Sequence, residues 1–151
     1  MEKDVEYMTR ALDLARQAAA EGEVPVGCVI VRDGRIVGEG RNRREGIRNA
    51  LAHAEIEAID QACRTLGGWR LIGCTLYVTL EPCPMCAGAI VNARIPRVVY
   101  GGKDIRFGAM GSLFDLNALP LNHHAEVESG ILAEECVTAL KEFFAKKREK
   151  Q

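Results

Sequence analysis

Two short segments concentrate the residues whose types and spacing could do chemistry. The first is His53-Ala54-Glu55, and the second runs from Glu81 to Cys86 as Glu-Pro-Cys-Pro-Met-Cys. Cys83 and Cys86 are three residues apart at the start of a predicted helix, so both sulfurs can point the same way. Helix amides at that end favour thiolates. Two thiolates and one imidazole are three ligands for tetrahedral zinc, with a fourth position left for water, whose pKa would fall to about 7.

Glu55 is the natural general acid/base for such a centre. It follows His53 by two residues, and in the middle of a helix their side chains would diverge by about 200°. Both reach one metal only if the site faces the N-terminus of the helix. The sequence therefore places the zinc between two converging helix N-termini, beyond the strand ending at Leu80, where open α/β sheets bind ligands.

Other interpretations exist for each motif taken alone. A Cys-x-x-Cys pair can be a thioredoxin-like redox pair, and a histidine at a helix start can be a cap or a surface residue. The joint occurrence of both segments, thirty residues apart, favours zinc. His123-His124 is expected to be a surface loop pair. The other cysteines have apolar neighbours and are expected to be small buried hydrophobes: Cys28, Cys63, Cys74 and Cys136.

Hydrophobic periodicity predicts the elements that must position these residues. Helices are predicted over 4–21, 53–66, 84–92 and 132–150, with a short one near 113–116, and strands over 26–31, 35–40, 75–80, 97–100 and near Val127. Asp33-Gly34 is a hairpin turn signal. The strand–helix–strand order between 75 and 100 predicts a parallel βαβ unit. The predicted fold is an α/β sandwich with one mixed five-stranded sheet between helices.

Length and composition limit the class of protein. With 151 residues the chain is expected to form one domain, 1–151, and 48% apolar with 27% charged residues is typical of a globular protein. A net charge of -1 excludes nucleic-acid binding by bulk positive charge, though not a local basic patch. The longest uncharged stretch, Pro82 to Ala93, is far short of the ~20 residues of a membrane span. The acidic N-terminus is unlike a signal peptide, so we expect a cytoplasmic protein with cysteines as thiols or metal ligands.

The two segments resemble the His-x-Glu … Pro-Cys-x-x-Cys signature of zinc-dependent nucleobase deaminases. The likeness extends in register along nearly the whole chain and is specific to the bacterial tRNA-specific adenosine deaminases. It implies a three-layer cytidine-deaminase-like sandwich and a homodimer. The further segments that carry it are 23–27, 52–55, 76–83, 85–88, 97–100, 108–112 and Phe143-Phe144 with the basic residues that follow.

The resemblance also implies the reaction. His53, Cys83 and Cys86 would bind one Zn²⁺ per subunit, and Glu55 would shuttle protons. A zinc-bound hydroxide would attack C6 of the adenosine at the wobble position, position 34, of a tRNA anticodon stem-loop. Ammonia would leave and inosine remain. A loop adenosine suits this chemistry because flipping an unpaired base costs little.

Substrate-binding residues follow from the same resemblance. Asn42 would read the flipped base, because an amide offers a donor and an acceptor together; taken alone it would be a cap. Val26 and Gly27 would line the base pocket. Asp104 would lie near the sugar, where a carboxylate can accept from a ribose 2′-hydroxyl; taken alone it would be a solvated loop acid.

Charge is distributed unevenly along the chain. The segments 41–48, 94–107 and 141–151 each have a local charge of +3. Such clusters can contact RNA or can simply be solvated surfaces. The RNA contacts expected from them are Arg44, Lys103, Arg106, Phe144, Lys147 and Arg148.

Two other functions compete with a tRNA deaminase. One is a zinc-dependent deaminase of a free base or nucleotide such as guanine, cytosine or deoxycytidylate, which would not need a basic terminal helix. The other is a zinc-stabilised binding protein without catalysis. Glu55 argues against the latter. A structural zinc site is usually closed by a fourth protein ligand and has no use for a carboxylate beside it.

Overall fold

A computed structural model describes residues 2–149 of the chain. The helices are α1 (Glu2–Ala20), α2 (Ala54–Leu66), α3 (Pro84–Asn92) and α4 (Ala133–Glu149). The strands are β1 (Gly27–Arg32), β2 (Arg35–Arg41), β3 (Cys74–Leu80), β4 (Arg97–Gly102) and β5 (Glu126–Ser129).

The five strands form one mixed sheet in the order β2-β1-β3-β4-β5. Strand β1 is antiparallel to both β2 and β3, whereas β3, β4 and β5 run parallel to one another. Asp33 and Gly34 join β1 to β2 with φ values of 52° and 74°, which suit a tight hairpin turn. The unit β3–α3–β4 is the predicted parallel βαβ crossover.

The sheet is covered on both faces, because alternate residues of its strands point to opposite sides. Ile30, Leu76 and Val98 belong to the core formed with α2 and α3. Val29 and Tyr77 belong to the core formed with α1. The three-layer sandwich predicted from the sequence is confirmed.

Two glycines allow the helices to lie close to the sheet near the chemical segments. A Cβ on Gly40 of β2 would lie 2.2 Å from the Ala54 carbonyl oxygen, and a Cβ on Gly27 of β1 would lie 1.9 Å from the Ala11 carbonyl oxygen. These approaches require glycine. Gly40 therefore lets the first turn of α2 rest directly on the edge strand.

A few local expectations were wrong. The short helix expected near 113–116 is a 3₁₀ turn over Leu116–Ala118, because the Asp115 side chain accepts a hydrogen bond from the amide of Asn117. Cys63 is only partly buried, since it lies near the end of α2, whereas Cys28, Cys74 and Cys136 are buried as expected. Lys150, the predicted end of the last helix, lies outside the described residues. Among residues 2–149, every helix is too short or too polar to span a membrane.

Candidate active site

Three donor atoms converge where the N-termini of α2 and α3 meet. His53 is the N-cap residue of α2 and Cys83 is the N-cap residue of α3, and both have extended backbones. The His53 Nδ1 atom lies 3.6 Å from the Cys83 Sγ atom and 3.5 Å from the Cys86 Sγ atom. These three side chains form the one possible metal-binding group of its kind within the described part of the chain.

The separations of these atoms fit a tetrahedral zinc ion. Zinc lies about 2.0–2.1 Å from a histidine nitrogen and about 2.3 Å from a cysteine sulfur, so a tetrahedral angle places nitrogen and sulfur about 3.5–3.6 Å apart. The Nδ1 atom of His53 meets this requirement with both sulfurs. Its Nε2 atom instead lies 3.5 Å from the Arg44 Nη1 atom. Nδ1 is therefore the nitrogen that faces a metal position.

The two thiols differ in their electrostatic environment. A hydrogen bond with the Cys86 thiol, helped by the His53 ring, lowers the pKa of the Cys83 thiol to about 4. The pKa of the Cys86 thiol is raised by that same hydrogen bond and by burial. The hydrogen bond with Cys83 raises the pKa of the His53 ring. Cys83 is thus the thiolate best prepared to bind a cation.

Glu55 occupies the first turn of α2 and is only 4% exposed. Burial raises the pKa of its carboxyl to about 7, and hydrogen bonding to the backbone partly opposes that rise. A carboxyl with a pKa near neutrality can both accept and release a proton at physiological pH. Its position beside the ligand group therefore suits a general acid/base.

A cavity of about 390 Å³ opens above these residues. Its size is that of a small-molecule site. The residues that line it come from five segments of the chain: Val24, Val26, Asn42, Arg44, His53, Ala54, Glu55, Leu80, Glu81, Cys83, Pro84, Met85, Asp104 and Phe107. Gly27 does not line it; its amide donates to the Thr79 Oγ1 atom at 3.1 Å.

The polar residues expected to touch substrate are held by local hydrogen bonds. The Asn42 Nδ2 atom donates to the Val24 carbonyl at 3.4 Å, and its Oδ1 atom accepts from the Arg44 amide at the same distance. The Asp104 Oδ1 atom accepts from the amides of Arg106 and Phe107 at 3.1 and 3.2 Å. Each side chain thus orders the loop that carries it and also borders the cavity.

Ion pairs neutralise part of the basic segments. Arg41 pairs with Glu21 at 2.7 Å and Arg43 pairs with Glu57 at 2.6 Å. Arg97 pairs with both Asp4 and Glu128. The residues expected to contact RNA have more than a third of their surface exposed: Arg44, Lys103, Arg106, Phe144, Lys147 and Arg148.

The basic end of α4 lies at the same end of the sheet as the cavity. Phe143 and Lys146 face Ala20, the last residue of α1, across a surface cleft. From there the chain continues to Val24 and Val26 in the cavity wall. In contrast, the Nε2 atoms of His123 and His124 each lie 2.7 Å from a backbone carbonyl oxygen; His124 is exposed and His123 is half-buried.

Several residues of the cavity were not predicted as functional residues. Val24 and Phe107 line it. Two sequence features could have indicated them: Val24 precedes a proline, and Phe107 is an aromatic residue close to Asp104. Glu81 belongs to the cysteine motif, which predicts no separate role for it. Burial of Glu81 at 2% exposure becomes visible only in the folded chain.

The fold and the site together define a deaminase. The MafB19-like deaminase family model matches residues 2–148. The tRNA-specific adenosine deaminase of Bacillus subtilis (strain 168) is 49% identical over 152 residues, covering 100% of this chain and 94% of that protein. The tRNA-specific adenosine deaminase of Haemophilus influenzae is also 49% identical, covering 99% and 88%. The chain therefore belongs to the family of tRNA-specific adenosine deaminases.

Solved structures extend the comparison. One, from work on A-to-I editing by tRNA:A34 deaminases at the wobble position of transfer RNA, has a TM-score of 0.84 and 43% identity, covering 89% of this chain and 99% of that one. A guanine deaminase from Nitrosomonas europaea has a TM-score of 0.78 and 26% identity, covering 93% and 84%. The architecture is thus shared by deaminases of different purines.

Proposed function

We propose that this protein converts adenosine to inosine at the wobble position of a tRNA anticodon loop. The observation that carries the proposal is the convergence of Glu55 and a zinc-compatible His-Cys-Cys group in one cavity of a chain whose relatives are named tRNA-specific adenosine deaminases. We assign one Zn²⁺ per subunit to His53, Cys83 and Cys86. Bound there, zinc would lower the pKa of a water molecule toward neutrality.

Glu55 would perform the proton transfers. Its buried carboxyl takes one proton from the attacking water and delivers it to N1 of the purine. It later carries the second proton of that oxygen, now bonded to C6, to the departing amine. Water oxygen replaces the amine at C6, and ammonia leaves. A pKa near 7 suits a group that must act as base and then as acid at neutral pH.

The cavity walls would orient the nucleoside. The Asn42 amide can donate to and accept from the edge of the purine, and Val26 would form part of the wall beside the base. Gly27, which does not line the cavity, would act only by holding Val26 in place through its bond to Thr79. Asp104 would accept from a ribose 2′-hydroxyl, which favours RNA over DNA. The exposed cations near the rim, including Arg44, Lys103 and Arg106, would contact RNA phosphates together with the end of α4.

The assay that tests this function offers an anticodon stem-loop with adenosine at the wobble position to the zinc-loaded protein and measures inosine. Free adenosine, cytidine, guanine and single-stranded DNA are offered in parallel. We expect inosine in the stem-loop alone. Conversion of a free base without conversion of the stem-loop would refute the proposal.

The alternative is deamination of a free base or nucleotide such as guanine, cytosine or deoxycytidylate. The structural likeness to the Nitrosomonas europaea guanine deaminase favours guanine within this group. The exposed basic end of α4 argues for the RNA substrate, because a free base needs no phosphate contacts.

Two further properties complete the proposal. A homodimer is inferred from the family resemblance, and sedimentation of the purified protein tests it. Residence in the cytoplasm fits a tRNA substrate and cysteines that serve as thiols or as zinc ligands, which a reducing compartment preserves. Fractionation of cells that express the protein tests the location.

A further inference from the structure

Glu81 is a buried carboxylate that the proposed chemistry does not use. It follows β3 and precedes Cys83 by two residues. Its Oε1 atom accepts from the Asp104 amide at 3.1 Å and from the Ser112 hydroxyl. Its Oε2 atom accepts from the amides of Met110 and Ser112, each at 3.1 Å. Four donors therefore converge on the two oxygens of one side chain.

All four donors belong to the loop 104–112, which forms one wall of the cavity. The loop has a further tie to the same segment, since the Ala109 amide donates to the Pro82 carbonyl at 2.9 Å. Asp104 and Phe107 are the loop residues that line the cavity. Asp104 in turn accepts from the Phe107 amide, so a chain of hydrogen bonds links the Glu81 carboxylate through Asp104 to the backbone of Phe107.

The loop also packs directly on the Glu81 carboxylate. A Cβ on Gly108 would lie 2.4 Å from the Glu81 carboxyl carbon and 2.3 Å from the Asp104 carbonyl oxygen. Any larger residue at 108 would push the loop away from Glu81. The contact is therefore a close fit between backbone and carboxylate.

Only a carboxylate satisfies this arrangement. It accepts hydrogen bonds at both oxygens, whereas glutamine accepts at one oxygen and presents N–H donors at the other position. Glutamine at 81 would face at least one loop amide with its own donors, even if the Ser112 hydroxyl turned to accept from it. Buried donors left without acceptors are costly, so the loop would move.

We propose that Glu81 is a positioning residue for substrate binding: it fixes the wall formed by Asp104 and Phe107 against the segment that carries Cys83. The inference rests on the proposed function for the identity of the substrate. It predicts that Glu81 affects how well substrate is held, while the metal group and Glu55 continue to work. Loss of binding that is equal in ground and transition states raises KM and leaves kcat unchanged.

The test compares Glu81→Gln and Ser112→Ala with the wild type by kcat, KM and zinc content. Asp4→Asn is the matched control, because Asp4 is a buried carboxylate with hydrogen bonds to Tyr77 and Arg97 on the opposite face of the sheet. KM is measured for whichever substrate of the parallel assay the wild type converts. Failure of stem-loop conversion would thus refute the proposed function and leave the test of Glu81 intact.

We expect Glu81→Gln to raise KM roughly tenfold or more, with kcat within about threefold of the wild type and zinc content unchanged. Ser112→Ala removes one of the four donors and should raise KM about two- to fivefold. Hydrogen exchange should show lost protection of the Asp104, Met110 and Ser112 amides in Glu81→Gln. Asp4→Asn should lower the melting temperature without changing KM.

A wild-type KM in Glu81→Gln would overturn the proposal, as would an equal rise of KM in Asp4→Asn. A fall in zinc content and kcat with unchanged KM would show instead that Glu81 supports the metal group, and would also overturn it. If Glu81→Gln does not fold, Ser112→Ala decides: an unchanged KM in that variant counts against the proposal.

Discussion

His53 and Glu55 lie on either side of the first residue of α2, and both side chains line the same cavity. The extended backbone of His53, with a ψ of 153°, takes its ring out of the helical rotation that would otherwise separate the two side chains. A ligand candidate and a buried acid thereby share one helix end. Because the acid and the ligand candidate are separate side chains, a substitution can remove Glu55 and leave His53 in place.

Replacing Glu55 should separate metal binding from catalysis. We expect Glu55→Ala to retain zinc and to lose activity by about 10²–10⁴-fold, the usual contribution of general acid–base catalysis. Inosine formation in the stem-loop and the metal content of the purified variant check the two parts. Full activity in Glu55→Ala would exclude the proposed proton transfers.

Replacing a proposed zinc ligand should remove metal binding and catalysis together. We expect Cys86→Ser to lose most of its zinc together with its activity, because a hydroxyl is a poor ligand compared with a thiolate. Cys63→Ser is the matched control, since Cys63 lies outside the His-Cys-Cys group and is partly exposed. Chelation of the wild type should abolish activity, and added zinc should restore it. Retained zinc in Cys86→Ser would contradict the assigned ligand set.

The local motifs were enough to predict that His53, Cys83 and Cys86 come together where two helices begin. His53 and Cys83 each lie at the start of a helix. Helix-start signals depend on a few neighbouring residues, so they can be recognised in the sequence alone. The choice of Nδ1 on His53 could not be predicted, because it depends on how the ring is turned beside Arg44. That orientation is a result of tertiary packing.

Contacts between distant segments were also beyond the sequence. Glu81 accepts from amides 23 to 31 residues further along the chain, and such pairs leave no periodic pattern. The segment 41–48 has a net charge of +3 in the sequence. In the folded chain, the ion pairs of Arg41 with Glu21 and of Arg43 with Glu57 neutralise half of its arginines. Net charge by segment therefore overestimates the surface available to RNA phosphates.

The exposed end of α4 should contribute to RNA binding through charge. We expect Lys147→Glu to weaken stem-loop binding several-fold and to reduce the slope of log affinity against log salt by about 1, as for one lost phosphate contact. Lys3→Glu is the control, because Lys3 is an exposed lysine at the start of α1, far along that helix from Ala20. Binding titrations at several salt concentrations measure both effects. Equal affinities and equal salt dependence in the two variants would show that α4 does not contact the RNA.

The Asp4 carboxylate should make stability depend on acidity. Hydrogen bonding from Arg97, assisted by Tyr77, lowers the pKa of Asp4 to about 2. A carboxyl whose pKa is lower in the folded state stabilises the fold fully above its ordinary pKa near 4, and this contribution is lost as the pH falls toward 2. The contribution is about 1–2 kcal/mol, the lower figure allowing for solvent screening at the partly exposed Arg97.

Urea unfolding of the wild type and of Asp4→Asn at pH 7, 5, 4 and 3 measures this contribution. We expect the difference in the free energy of unfolding to be constant from pH 7 to 5 and to shrink between pH 4 and 3, because protonation of Asp4 removes in the wild type what the substitution has already removed. Asp13→Asn is the control, since Asp13 lies on the same helix with its side chain 53% exposed and 4.0 Å from Arg16. The free energy of unfolding of Asp13→Asn should differ little from that of the wild type at every pH. A difference between wild type and Asp4→Asn that does not change with pH would show that the stabilisation does not come from the ionised Asp4 carboxylate.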